Sequence, residues 1–159
     1  MESAVTGTAN VGVATQGVYE LTLEVADLGA AERFYADLVG LRVVERWPAP
    51  RDAVWLALGG GGFLGLWTAS AGGTAAIHQG RGGVHVHFAL RVPVGTLQPL
   101  ADRLEQASCV TEWRHFENGN VALYVTDPDG NVVEFTELVV RWDGSRTEAD
   151  PTAPGGDIA

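Results

Sequence analysis

Two stretches of this chain follow one pattern, and that duplication limits the folds open to it. ELTLEVADLGAAERFYADL, residues 20–38, lies over HFALRVPVGTLQPLADRLE, residues 87–105. At an offset of about 67 residues strand falls on strand and helix on helix, with a one-residue slip in the helix. In the first copy Leu21, Leu23 and Val25 alternate with Glu20, Thr22 and Glu24, the period of a half-buried strand. Asp27 is placed to cap a helix on which Leu28, Ala31, Phe34, Tyr35 and Leu38 share a face, and Gly40 stops it. In the second copy Phe88, Leu90 and Val92 oppose His85, His87, Ala89 and Arg91, and Leu97, Leu100 and Leu104 mark a helix ending near Ser108. A lone strand–helix–hairpin unit leaves one sheet face uncovered, so the two units are expected to pair and share a cleft.

Each copy continues into three short apolar segments: Leu41–Trp47, Val54–Leu58 and Phe63–Thr68, then Val110–Phe116, Val121–Thr126 and Val132–Leu138. Gly59 to Gly62 reads as a hairpin loop. The expected organisation is α+β: a flexible tail over 1–16, a βαβββ module over 17–69, a Gly-rich linker over 70–83, a second βαβββ module over 84–139 and a disordered tail over 140–159.

The turn with the most chemistry in it is Asp127-Pro128-Asp129-Gly130-Asn131. Pro128 presets φ, Gly130 takes φ > 0, and the Asp and Asn side chains can bond nearby backbone, so a hairpin is expected. On its second strand Val133 and Phe135 face one way, and Val132, Glu134 and Thr136 the other. A carboxylate among apolar neighbours must be paired, solvated in a cavity or bound to a cation; Arg91 and Arg114 are the candidate partners.

Composition removes several functions. Twenty acidic against ten basic residues give a net charge of −10, which repels nucleic acid and anionic membrane and suits cationic partners. Every basic residue is arginine, so Schiff-base chemistry has no lysine to use. A single cysteine, Cys109, precludes an intrachain disulfide and fits a reducing cytoplasm. No basic-then-apolar leader and no apolar run of membrane-spanning length is present, so a cytoplasmic protein is expected.

EVADLGAAERFYADLVGL in the first half, and HFALRV followed by LYVTDPDGNVVEFTE in the second, resemble the vicinal oxygen chelate superfamily. Its members include glyoxalase I, fosfomycin-resistance enzymes, methylmalonyl-CoA epimerase, extradiol dioxygenases and bleomycin-resistance proteins. The resemblance covers Gly17 to Leu138. It implies an eight-stranded, open, cleft-enclosing sheet and one divalent metal held by the first and last strands of each module. Those positions here are Glu20, Gly65, His87 and Glu134, so the implied ligands are Glu20, His87 and Glu134, for Zn, Mn, Ni, Co or Fe. His85 lies on the same strand face as His87 and is expected to line the wall.

The resemblance implies a metalloenzyme that chelates an oxygen-bearing small molecule and stabilises an enolate or other oxyanion, by isomerase, lyase or related chemistry. Glu24 and Tyr124 are the candidate acid–base residues, and Trp67, His85, Arg91 and His115 the candidate substrate contacts. Gly65 in place of a ligand disfavours glyoxalase I proper, and Glu20 in place of histidine disfavours a typical extradiol dioxygenase. A lysine-free chain at −10 is also a poor host for an anionic phosphonate. The alternative is a bleomycin-resistance-like protein that sequesters a cationic aromatic drug on Trp47, Trp55, Trp67, Trp113 and Tyr124 without catalysis. Either would be expected as a homodimer.

Overall fold

The computed structural model describes residues 17–69, 86–141 and 143–146. His85 and the whole of the expected linker over 70–83 lie outside the described residues. The elements run β1 (Glu20–Val25), α1 (Leu28–Glu32) continuing as a π-helical segment (Arg33–Leu38), β2 (Val43–Trp47), β3 (Ala53–Gly59) and β4 (Gly62–Thr68). The second series is β5 (His87–Arg91), α2 (Leu97–Gln106), β6 (Thr111–His115), β7 (Val121–Thr126) and β8 (Val132–Thr136). No helix among the described residues is long and apolar enough to cross a membrane.

The strands form two four-stranded sheets of identical order, β1-β4-β3-β2 and β5-β8-β7-β6. In each, the first strand pairs in parallel with the last and the remaining pairs are antiparallel. The repeat in the sequence is thus a repeat of topology, and equivalent positions can be matched through register. Thr22 opposes Gly65, which opposes Trp55, which opposes Glu45. In the second sheet Ala89 opposes Glu134, Glu134 opposes Tyr124, and Tyr124 opposes Glu112.

The apolar faces meet the helices in one hydrophobic cluster, which joins Leu23, Val25, Phe34, Leu64 and Leu66 to Leu100, Leu104, Leu123, Val133 and Phe135. Each such fully buried side chain is worth about 1.5–3 kcal/mol of transfer free energy. Asp27 accepts from Ala30 N at 2.9 Å and starts the first helix as its sequence position predicts. The helix does not stay α to its end. Val39 N bonds Phe34 O, five residues back, at 2.9 Å, and both Phe34 and Tyr35 of the widened turn are buried.

Polar ties also cross between the two units. Tyr35 Oη donates to Asp127 Oδ2 at 2.7 Å, Ala26 N donates to Asp129 Oδ1 at 2.7 Å, and Arg103 Nε donates to Leu38 O at 2.5 Å. Asp127 anchors its turn as well, with Oδ1 accepting from Asp129 N and Asn131 N and Oδ2 from Asn131 Nδ2. Gly130 supplies the positive φ, +88°. The last strand stops at Thr136, two residues short of the expected end, because Leu138 turns to φ +39° and donates its N–H to Thr136 Oγ1.

Candidate functional site

The sheet faces turned away from the helices carry the polar side chains, and the second sheet concentrates them. Glu134 is 9% exposed in mid-β8, the situation that demands a partner. Its partners are neither of the arginines suggested by sequence. Tyr124 Oη donates to Glu134 Oε2 at 2.5 Å, and His87 Nε2 lies 2.9 Å from the same oxygen. Three adjacent strands contribute: β7 sets Tyr124 directly opposite Glu134, and β5 brings His87 alongside. The His87 and Tyr124 rings meet edge to face with centroids 5.5 Å apart.

Arg114 lies over the Tyr124 ring at 5.3 Å and is held there by Glu112, which accepts from Nε at 3.0 Å and Nη2 at 2.8 Å. Burial raises the Tyr124 phenol to about 12; its bond to Glu134 and that carboxylate's charge add to the rise, and Arg114 opposes it. Tyr124 is accordingly a neutral hydroxyl at physiological pH, able to donate. A cavity of about 470 Å³ opens beside it, walled by Phe34, Cys109, Val110, Glu112, Val125 and Pro128.

The remaining predicted residues are not gathered at this point. Arg91 is exposed at the end of β5 and His115 is exposed at the end of β6. Glu20, Glu24 and Trp67 belong to the first sheet. Glu24 opposes Trp67 on β4, and among the described residues neither Glu24 Oε2 nor Trp67 Nε1 has a hydrogen-bond partner although both atoms are buried. Glu20 is exposed and accepts from Thr22 Oγ1 at 2.7 Å. Among the described residues no group of three or more His, Cys, Asp and Glu side chains converges as a metal site.

Two donors do converge. His87 Nε2 and Glu134 Oε2 lie 2.9 Å apart, a hydrogen-bonding distance. An imidazole nitrogen and a buried carboxylate oxygen fit a borderline divalent cation, with Tyr124 still able to donate to the carboxylate.

Gly65 is empty of donor chemistry for a steric reason. A Cβ there would stand 2.8 Å from Trp55 Cζ3 and 3.1 Å from Trp67 Nε1. Trp47, Trp55 and Trp67 pack edge to face, with centroids 5.3, 5.4 and 6.1 Å apart, and their rings occupy the space a ligand side chain would need. Sequence reasoning missed Glu45 and Glu112; the alternation along β2 and β6 that puts Glu45 with Trp47 and Glu112 with Arg114 was the signal available.

The family model for the Glyoxalase/Bleomycin resistance protein/Dioxygenase superfamily matches residues 17–135. The chain is 31% identical over 121 residues to the glutathione transferase FosA of Serratia marcescens, covering 76% of this chain and 79% of that protein. Among solved structures it is similar to a glyoxalase-related enzyme from Fulvimarina pelagi, at 30% identity and TM-score 0.60, covering 85% of this chain and 99% of that one. It is also similar to lactoylglutathione lyase from Agrobacterium tumefaciens, at 26% identity and TM-score 0.61, covering 77% and 93%.

Proposed function

Because the chain belongs to the glyoxalase/bleomycin resistance protein/dioxygenase superfamily, we propose that it is a metal-dependent enzyme acting on a small oxygen-bearing molecule at His87, Glu134 and Tyr124. The observation that carries this is the convergence of an imidazole and a phenol on one buried carboxylate oxygen. His87 Nε2 and Glu134 would hold a divalent Zn, Mn, Ni, Co or Fe ion, which would supply stabilisation of negative charge developing on a substrate oxygen.

The chain's own residues do the rest. Tyr124 holds Glu134 in place through its hydroxyl, keeps that proton at physiological pH, and can offer it to a substrate oxygen. Arg114, steadied by Glu112, places a positive charge over the Tyr124 ring. The adjoining cavity takes the body of the substrate against Phe34, Val110 and Val125 and reduces its contact with water. Two relatives are named as a transferase and a lyase. Lyase or isomerase chemistry at a carbon bearing an ionisable oxygen is the class proposed for this chain.

Elemental analysis after dialysis without chelator tests the proposal. About one divalent ion per chain is expected, with His87→Ala and Glu134→Gln each losing it while the far-UV spectrum is unchanged. A wild-type protein that holds no metal and whose melting ignores added Ni²⁺, Mn²⁺ and Zn²⁺ would show that this pair is not a metal site.

A further inference from the structure

The second sheet ends on β6, and among the described residues no strand pairs with its outer side. The corresponding edge of the first sheet, β2, is blunted, because a bulge between Val43 and Glu45 breaks its register. Strand β6 has no such device. Its register with β7 is unbroken from Thr111 to His115, and it contains no proline and no lysine. Val110 just before it is 87% exposed and Phe116 just after it 43% exposed, so both ends of this edge present apolar side chains to water.

Register also fixes which backbone groups on β6 are free. Glu112 and Arg114 oppose Tyr124 and Ala122, and Phe116 N donates to Asn120 O at 2.9 Å in the same phase. Antiparallel pairing alternates, so Glu112, Arg114 and Phe116 turn their N–H and C=O groups inward to β7, while Thr111, Trp113 and His115 turn theirs to the open edge.

The sequence around Trp113 is complementary to itself read backwards. When two β6 strands lie antiparallel and centred on Trp113, Thr111 meets His115 of the other copy, and every outward N–H and C=O of these residues finds a partner. On the face shared with Tyr124, Glu112 meets Arg114 of the second copy and Val110 meets its Phe116. Hydrogen bonding permits only slips by two residues. A slip in either direction sets Glu112 against Glu112 or Arg114 against Arg114, which opposes it. A parallel pair in register likewise places like charges side by side. Backbone, charge and apolar contact therefore favour the same single arrangement.

We propose that the outer edge of β6 is a docking surface for a second copy of this chain, joined through this two-fold antiparallel strand pair so that one sheet runs through both molecules. Val110 and Glu112 also border the cavity beside Tyr124, so the pairing brings Phe116 of the second copy to the rim of that cavity and a second carboxylate to Arg114. A single pair of 5-residue strands is a small interface, and the association is weak, with a Kd on the order of 10⁻⁴ M.

The test is sedimentation equilibrium of the full chain, dialysed against chelator, from about 10 μM to about 1 mM. Reversible association of the wild type is expected over that range. Glu112→Arg and Arg114→Glu each set like charges opposite one another and should weaken it about tenfold or more; an equimolar mixture of the two variants restores opposite charges and should recover the wild-type Kd within about threefold. Recovery on mixing also shows that both variants are folded. The register is read separately by mixing Val110→Cys and Phe116→Cys chains, both in a Cys109→Ser background, under mild oxidation. Opposed positions of this kind have Cα atoms about 4.5 Å apart, within disulfide reach, whereas the two copies of either position lie about 20 Å apart. Mass spectrometry should find the disulfide between positions 110 and 116 at least about tenfold over either symmetric one. A wild type of constant mass across the range, single charge variants that associate as tightly as wild type, a mixture no tighter than its components, or symmetric disulfides in equal yield would each overturn the assignment. The protein is metal-free throughout, so the outcome is separate from that of the His87–Glu134 proposal.

Discussion

Gly65→Ala isolates the steric argument for the first sheet from any question of ligands. The added methyl would lie 2.8 Å from Trp55 Cζ3, 3.0 Å from Trp55 Cη2 and 3.1 Å from Trp67 Nε1. Carbon atoms rest at about 3.5–4.0 Å, so the overlap is severe. A flexible side chain would swing aside, but these rings are two members of a three-indole cluster, and Trp55 cannot retreat without pressing on Trp47 and Trp67. Overpacking of this kind costs about 1–3 kcal/mol. Against it stands the entropy that alanine removes from the unfolded chain, about 0.4–1 kcal/mol in favour of the variant. At the midpoints of the two ranges the strain wins, by about 1.3 kcal/mol, which is roughly 3–5 °C in Tm for a domain of this size.

Urea unfolding followed by near-UV circular dichroism and tryptophan emission reads both the lost stability and the displaced indoles. In a Trp55→Leu background the two shortest contacts disappear and only the 3.1 Å approach to Trp67 Nε1 is left, so the cost of Gly65→Ala should fall. An unchanged Tm and emission spectrum in Gly65→Ala, or the same penalty with and without the Trp55 ring, would refute the packing explanation for the glycine.

Tyr35→Phe deletes the hydroxyl that ties the first helical segment to Asp127, and should cost about 1–2 kcal/mol in urea unfolding with the native spectrum retained. Burial and the neighbouring carboxylates raise both Tyr35 and Tyr124 above the ordinary tyrosine value of 10.0, so their contribution to stability is whole below about pH 10 and is lost as the pH climbs through the folded value, about 12 for Tyr124. The urea midpoint should therefore decline above about pH 10, and less steeply in Tyr124→Phe; an identical alkaline slope in that variant would contradict the assignment. Arg103→Ala removes donors to Leu38 O and Val39 O at the end of the π-helical segment and should cost about 0.5–1 kcal/mol in the same assay.

Local rules were readable in the sequence because they act over a few residues. Alternation placed Leu23 and Val25 in the core and Leu21 against it, and Asp27 announced its helix. The π-helical winding left no trace, since Phe34, Tyr35 and Leu38 fit an α-helical face equally well. Glu134 shows where legibility ends. A hairpin whose turn is centred on Asp129 pairs residues equidistant from it, which makes Tyr124 the partner of Glu134; the sequence contains that pairing, yet charge alone pointed to arginine. The contact with His87 is different in kind. It depends on a parallel register between strands separated by a helix and a hairpin, where no turn dictates alignment. Duplication supplies that alignment indirectly, because a register found in one copy transfers to the other. The same transfer shows that Glu20 has the place of His87 in a sheet where Gly65 has the place of Glu134. In the first copy the indoles of Trp55 and Trp67 occupy the space a side chain at position 65 would need, so Glu20 has no central carboxylate beside it of the kind that His87 meets in the second.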